Sequence, residues 1–217
     1  MYQNRSEAGK QLSKRLIKYK NNKEAIVLAL PRGGVVLGYE IAEALNLPLD
    51  IVVVRKIGHP SNPEYAICVV NENGSLLCDE PEYKYIDQNW LKKEILKQKV
   101  EAQRRINLYR GERKPVEITG KVVIIVDDGI ATGLSMQLAI RSVKIQSPKR
   151  IIVAVPVAPS DSKSFIHEEG ADEIITLEPF EEYMGSVGSH YLNFEQIQDD
   201  KVVQLLKLSY EKYKDLV

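Results

Sequence analysis

One run of the chain gathers residue types that could do chemistry together: Val122-Val123-Ile124-Ile125-Val126-Asp127-Asp128-Gly129-Ile130-Ala131-Thr132-Gly133-Leu134-Ser135. An apolar strand ends abruptly in two adjacent carboxylates. Two glycines and two hydroxyls follow, and then a helical pattern begins. Ligands of doubly wound sheets sit beyond the carboxyl ends of the strands. The amino end of the next helix offers unpaired N–H groups and partial positive charge, which suit a phosphate. Gly129 and Gly133 let the backbone approach that phosphate, and Thr132 and Ser135 add hydroxyl donors. A phosphate alone would not favour neighbouring carboxylates. Asp127 and Asp128 instead suit O–H donors, and a vicinal diol supplies two of them. A phosphate on the loop and a diol on the acids together describe a ribose 5-phosphate. The run has no Gly-Lys-Ser/Thr of a Walker A loop, and the chain has no GxGxxG. A merely structural strand-turn-helix would leave two adjacent charges at the end of a buried strand unexplained.

A second run, Ala29-Leu30-Pro31-Arg32-Gly33-Gly34-Val35-Val36-Leu37-Gly38, repeats the strand-loop-helix logic. Adjacent glycines at a helix start can present backbone N–H groups as an anion nest. Arg32 adds a permanent cation with a planar donor fork suited to phosphate. A tight turn carrying an exposed arginine accounts for the same residues, so this run alone leaves both explanations open. Arg55 and Lys56 follow an apolar run directly, either as a surface pair or as ligand contacts at a strand's ligand-bearing end.

These groups need a frame. Apolar runs at 25–30, 51–54, 122–126, 151–155 and 173–177 read as buried strands, four of them continuous, as parallel strands covered on both faces are. Helical stripes lie between them. One is Val35, Val36, Tyr39, Ala42 and Leu45, closed by Pro48; another is Met136, Ala139, Ile140 and Val143, ended near Ser147-Pro148. Alternating strands and helices predict an α/β fold: a doubly wound, mainly parallel sheet with right-handed crossovers. Residues 55–119 interrupt the alternation as a hairpin and helical insert. It opens with a Gly/Pro-rich loop over 55–63. A hairpin follows, with strands 66–70 and 75–78 around the turn Asn71-Glu72-Asn73-Gly74. A long helix is predicted over 87–109, with Asp87 as N-cap and Leu91, Ile95, Val100 and Ile106 as apolar positions.

Composition narrows the class. The chain has 217 residues, 30 Lys+Arg against 30 Asp+Glu, and 44% hydrophobic residues. That length predicts one domain with an elaborated insert, able to bury a core without disulfide or metal staples. Balanced charge excludes a strongly basic nucleic-acid binder and an acidic disordered tail. The balance hides polarity, however: residues 84–114 carry 10 basic and 4 acidic side chains, and residues 159–200 carry 11 acidic and one basic. No apolar run approaches the roughly 20 residues of a membrane helix, and the polar, basic first 20 residues lack the apolar core of a secretory signal. Cytoplasmic location is the expectation. Cys68 and Cys78 are too few for a disulfide framework and read as small buried hydrophobes.

The run at 122–135 resembles the 5-phosphoribosyl-1-pyrophosphate (PRPP) motif of type I phosphoribosyltransferases: apolar strand, two acids, a short small-residue stretch, Thr-Gly, then Ser. The resemblance implies that Asp127 and Asp128 hold the ribose hydroxyls. It places Ala131, Thr132, Gly133 and Ser135 around the 5-phosphate, with Gly129 and Leu134 contributing backbone. It makes Arg32, Gly33 and Gly34 pyrophosphate ligands and brings Arg55 and Lys56 to the pyrophosphate or 5-phosphate, with Arg32 and Lys56 as the catalytic cations. Hypoxanthine-guanine-type members carry a third Asp where this chain has Ala131, so no base is expected in this loop. A wider resemblance, to a bacterial subgroup from which no substrate carries over, rests on Arg55-Lys56-Ile57-Gly58, Asn62-Pro63-Glu64-Tyr65-Ala66-Ile67, Arg104-Arg105, Tyr109-Arg110 and Val187-Gly188 with Tyr191, Phe194, Glu195 and Gln196. The family resemblance further implies a lid built from the Gly/Pro-rich loop at 55–63, with His59 in it and Glu64 beside it, and a C-terminal hood over about 178–200. Phe180, Tyr183, Val187, Tyr191 and Phe194 are the hood's candidates for enclosing a planar base. The acidic surplus there argues against a polyanionic acceptor such as orotate. The implied activity is transfer of the phosphoribosyl group of PRPP to a nitrogen nucleophile, with Mg²⁺ held mainly by substrate oxygens and through water by Asp127 or Asp128. The expected assembly is a homodimer, with no membrane or nucleic-acid partner. The alternative is a non-catalytic PRPP sensor whose basic segment meets RNA.

Overall fold

The computed structural model describes residues 1–79 and 83–213, with the Glu64 side chain outside that set. In chain order the strands are β1 (Ala25–Ala29), β2 (Leu49–Ile51), β3 (Val54–His59), β4 (Asn62–Asn71), β5 (Leu76–Cys78), β6 (Val122–Val126), β7 (Arg150–Ala154) and β8 (Glu173–Ile175). The helices are α1 (Arg5–Arg15), α2 (Gly33–Leu45), α3 (Gln88–Arg110), α4 (Leu134–Lys144), α5 (Ser162–Glu169) and α6 (Asp199–Tyr213). None of these helices is long and apolar enough to cross a membrane.

The main sheet runs β2-β1-β6-β7-β8 with every neighbouring pair parallel. Its central strands β1 and β6 are apolar throughout because both faces are covered. Successive side chains of a strand point to opposite faces. Val27 and Ala29 of β1, with Ile124 and Val126 of β6, pack with Leu12 of α1, Ile41 of α2 and Leu206 of α6. Ile26, Leu28, Val123 and Ile125 point the other way, toward Ile140 of α4 and Ile166 of α5. Each such buried aliphatic side chain contributes roughly 1.5–3 kcal/mol. A charge substituted on either face would therefore meet apolar packing rather than water.

The order of the sheet fixes where a ligand can sit. From β1 the chain moves to β2 on one side, while β6 pairs with β1 on the other. The switch point thus lies between β1 and β6, and the crevice at their carboxyl ends is where such sheets bind ligands. Both loops singled out above leave from those two ends, and the Leu30 amide donates to the Val126 carbonyl at 2.9 Å to hold them side by side.

Several expectations are corrected here. The Gly/Pro-rich stretch over 55–63 is not an open loop: β3 and β4 pair antiparallel through it, with register irregularities around Gly58 and a turn only at Pro60-Ser61. Together with β5 they make a separate three-stranded sheet. The run at 51–54 is likewise not one strand, since β2 ends at Ile51 and Val54 opens the second sheet. Cys68 and Cys78 face each other across β4 and β5 and are joined as a disulfide rather than left as thiols. Spacing in sequence carried no sign of this, because the pairing follows from the strand register. On α3, Leu91 is buried and Asp87 accepts from the Trp90 amide, as predicted, but Val100 is 70% exposed. The helix instead buries Ala102 and Tyr109 toward the main sheet.

Candidate functional site

The amino ends of α2 and α4 meet at the switch point, and neither is capped by a side chain. Two other helices are capped: Asn4 accepts from the Glu7 amide at the start of α1, and Asp87 accepts from the Trp90 amide at the start of α3, whereas α5 is also without a side-chain cap. An uncapped helix start leaves N–H donors for a ligand. The two ends at the crevice are therefore open to anions.

Glycine is required at two places around them. Gly133 precedes α4 with φ of 82°, and a Cβ there would overlap the Phe165 ring. Gly33 starts α2 against β6's end, and a Cβ there would overlap the Asp128 carboxylate. The Pro31–Arg32 peptide bond ahead of it is cis.

Two cavities adjoin at this point. The larger, about 560 Å³, is lined by Asp127, Asp128, Gly129, Ala131, Thr132 and Gly133 on one side and by Gly185, Ser186, Val187, Gly188 and Phe194 on the other. The smaller, about 280 Å³, is lined by Arg32, Gly33, Arg55 and Arg105 among others. Lys56, Asp127, Asp128 and Ser135 line both. The structure therefore brings together eleven of the predicted site residues around one double chamber. Gly34 and Leu134 line neither cavity; Gly34 lies beneath the site, where a Cβ would stand 2.7 Å from the Val126 carbonyl oxygen.

The larger cavity also holds a residue the sequence did not flag. Arg5 of α1 donates from Nε to Asp128 Oδ2 at 2.7 Å and from Nη1 to the Glu195 carbonyl at 2.8 Å. Its guanidinium lies 3.7 Å from the centre of the Phe194 ring, a cation–π contact. The Tyr191 hydroxyl donates to the Asp128 carbonyl at 2.7 Å. Arg5 lies more than a hundred residues from its partner, and nothing local marks it. Of the aromatic residues expected over the ligand, Phe194 lines the cavity, whereas Tyr191 is buried behind it and Tyr183 stacks on His190. Phe180 packs with the core on the α4 side. None of the residues lining this cavity from 185 onward is acidic. The acidic surplus of 159–200 thus stops short of the cleft, and the reason for excluding an anionic acceptor falls with it.

The electrostatics are uneven across the chamber. Burial and the adjacent Asp128 carboxylate push Asp127 well above the ordinary carboxylate range, against the Asp128 amide, which donates to Asp127 Oδ1 at 2.8 Å. Burial and then the neighbouring Arg105 lower Arg55. Burial alone would raise Asp199, at the start of α6, but Tyr109 and Arg104 donate to it and hold it low. Asp199 also stands 3.5 Å from Arg32. Among the described residues no group of three or more His, Cys, Asp or Glu could by itself hold a metal ion. Asp127 and Asp128 fit a hard cation that takes most of its ligands from a substrate and water.

Comparisons with known proteins agree with this geometry. The model of the phosphoribosyl transferase domain matches residues 2–182. A Mycobacterium tuberculosis protein provisionally named a phosphoribosyl transferase, Rv0571c, is 34% identical over 99% of this chain, and the chain spans 48% of that relative's length. The crystal structure of TT1426 from Thermus thermophilus aligns with a TM-score of 0.75 and 36% identity, covering 95% of this chain and 97% of that one. A Neisseria gonorrhoeae protein solved with bound ppGpp shares the fold at a TM-score of 0.50 and 14% identity, covering 96% and 98% of the two chains. With a family model over most of its length and uncapped helix ends meeting beside paired aspartates, the chain belongs to the phosphoribosyl transferase domain family.

Proposed function

We propose that the protein transfers the 5-phosphoribosyl group of PRPP to a nitrogen nucleophile, a nucleobase or related amine, and releases pyrophosphate. The observation that carries this reading is the double chamber at the switch point, where two uncapped helix starts flank Asp127 and Asp128. In it, Asp127 and Asp128 accept from the ribose hydroxyls. The loop from Gly129 to Ser135 receives the 5-phosphate, and the smaller cavity with Arg32, Gly33 and Arg55 receives the pyrophosphate. Lys56, which lines both cavities, stands at the join. We read 55–119 as an insert and about 178–200 as a hood on one domain, the hood closing the acceptor side with Val187 and Phe194.

The reaction forms a carbon–nitrogen bond at the anomeric carbon and breaks the bond from that carbon to the pyrophosphate oxygen, whose electron pair leaves with pyrophosphate. Charge therefore develops on the leaving oxygens. Arg32, Lys56 and the amides of the α2 start stabilise it where they already stand. Mg²⁺, held by Asp127 or Asp128 through water and by substrate oxygens, would neutralise part of the diphosphate charge. The nucleophile's proton goes to solvent or to an oxygen of the departing pyrophosphate, because Ala131 offers no base.

The exposed lysines of α3, Lys92, Lys93, Lys97 and Lys99, favour a second reading as a PRPP sensor that meets RNA. One assay separates the two. Bases and amines are screened with PRPP and Mg²⁺, reading pyrophosphate formed, alongside gel shifts with RNA and DNA. Acceptor-dependent pyrophosphate without a gel shift supports the transferase. PRPP binding and an RNA shift with no acceptor-dependent release would replace it with the sensor. Light scattering tests the expected dimer.

A further inference from the structure

In the sequence Arg105 enters only with Arg104 among the residues of the wider resemblance, and no role follows from it. The structure places it in the smaller cavity, opposite the Pro31-Arg32-Gly33 turn. Its side chain is only 13% exposed. Its Nε donates to Glu101 at 2.9 Å, and no described residue takes its two terminal nitrogens. A guanidinium carries five donors, so most of its fork is available to a ligand in the cavity. Arg104, the next residue, is spent differently: it bonds Glu101 and Asp199 and does not line either cavity.

The cavity is rich in cations with too few partners. Among the described residues Arg32 has only Asp199 as an ion-pair partner, at 3.5 Å, and Arg55 donates its Nε to a neutral Gln98. Lys56 is exposed to both cavities. Of the carboxylates that line the cavity, Asp128 is already paired with Arg5. Burial, and after it the nearby Arg105, lowers Arg55, while Glu101 offsets part of that shift. Four cations at one small polar cavity call for a multiply charged anion, and a planar fork suits its non-bridging oxygens.

Resting on the reading that this cavity takes the diphosphate, we infer that Arg105, supplied by the insert helix α3, is a further pyrophosphate-binding residue and gives that helix a direct part in substrate recognition. The parallel sheet furnishes the ribose and 5-phosphate contacts, and the insert closes the diphosphate end with Arg55, Lys56 and Arg105.

The test is calorimetry of the full chain with Mg²⁺ and three probes: PRPP, inorganic pyrophosphate and ribose 5-phosphate. Arg105→Gln is expected to weaken PRPP and pyrophosphate by about tenfold or more and to leave ribose 5-phosphate within about twofold. Arg105→Lys, which keeps charge and loses the fork, should fall between. Lys97→Gln, on the exposed face of the same helix, should change none of the three. If wild type binds PRPP and Arg105→Gln binds it equally well, the inference falls and the transferase reading stands. Uniform loss with all three probes in Arg105→Gln, together with full affinity in Arg105→Lys, would assign Arg105 a structural role and also overturn the inference. Wild type that binds neither PRPP nor ribose 5-phosphate would overturn the reading beneath it.

Discussion

Burial at the end of β6 and the neighbouring Asp128 carboxylate hold Asp127 above the ordinary carboxylate range. The same charge that suits a ribose diol is thus a burden on the unliganded fold. The sign follows from proton linkage: with its folded value raised, the folded protein binds more protons than the unfolded chain between the ordinary value of 3.8 and the raised one. Asp127 therefore costs stability progressively as pH rises through that window, and the cost is complete above it. Asp127→Asn keeps an oxygen for the Asp128 amide and removes the charge. Thermal melts should show the variant gaining on wild type from pH 4 to pH 8, with a higher Tm at pH 8. A variant less stable than wild type at pH 8 would contradict the assignment. Sites selected for function commonly carry this kind of stability deficit. Asp127 was legible in sequence because its charge breaks an apolar run. Arg5 was not, since its significance is the 2.7 Å contact to Asp128 across the fold.

The parallel strands were the most legible elements. Residues with both faces buried are apolar without interruption, and 122–126 matches β6 end to end. The stretch from 55 to 63 was misread because Gly58, Pro60 and Pro63 signal a loop, while cross-strand pairing between β3 and β4 overrides them. That difference matters for the site. Arg55 and Lys56 stand on a paired strand, so the cations reach the cavity from a rigid support. The disulfide stiffens the same sheet by joining Cys68 of β4 to Cys78 of β5, ten residues apart. Closing so short a loop is worth about 2–3 kcal/mol. Alkylation of the native, unreduced protein should modify neither cysteine, and the Cys68→Ser/Cys78→Ser variant should lose about that much stability in denaturant melts. Two thiols reacting in the native, unreduced protein would contradict the pairing. The start of α6 was also unread, although Asp199 there gathers Arg32, Arg104 and Tyr109.

At the scale of the whole molecule, the fold works by convergence. The sheet order puts the ends of β1 and β6 side by side, and each end opens onto an uncapped helix. The second sheet and α3 approach from one direction with Arg55, Lys56 and Arg105, while residues 185–194 approach from another with Val187 and Phe194. Alternation of strands and helices made the first of these legible. The convergence of the other two depends on contacts far apart in sequence, which no local pattern encodes. In the proposed reading the two aspartates and the two helix ends form one site for an activated sugar phosphate. Calorimetric titration with PRPP, with and without Mg²⁺, tests it most directly when wild type is compared with the Asp127→Asn/Asp128→Asn variant. Tight binding by wild type that requires Mg²⁺, weakened by about tenfold or more in the variant, is the predicted result. No binding by wild type, or binding that the double substitution leaves unchanged, would contradict it.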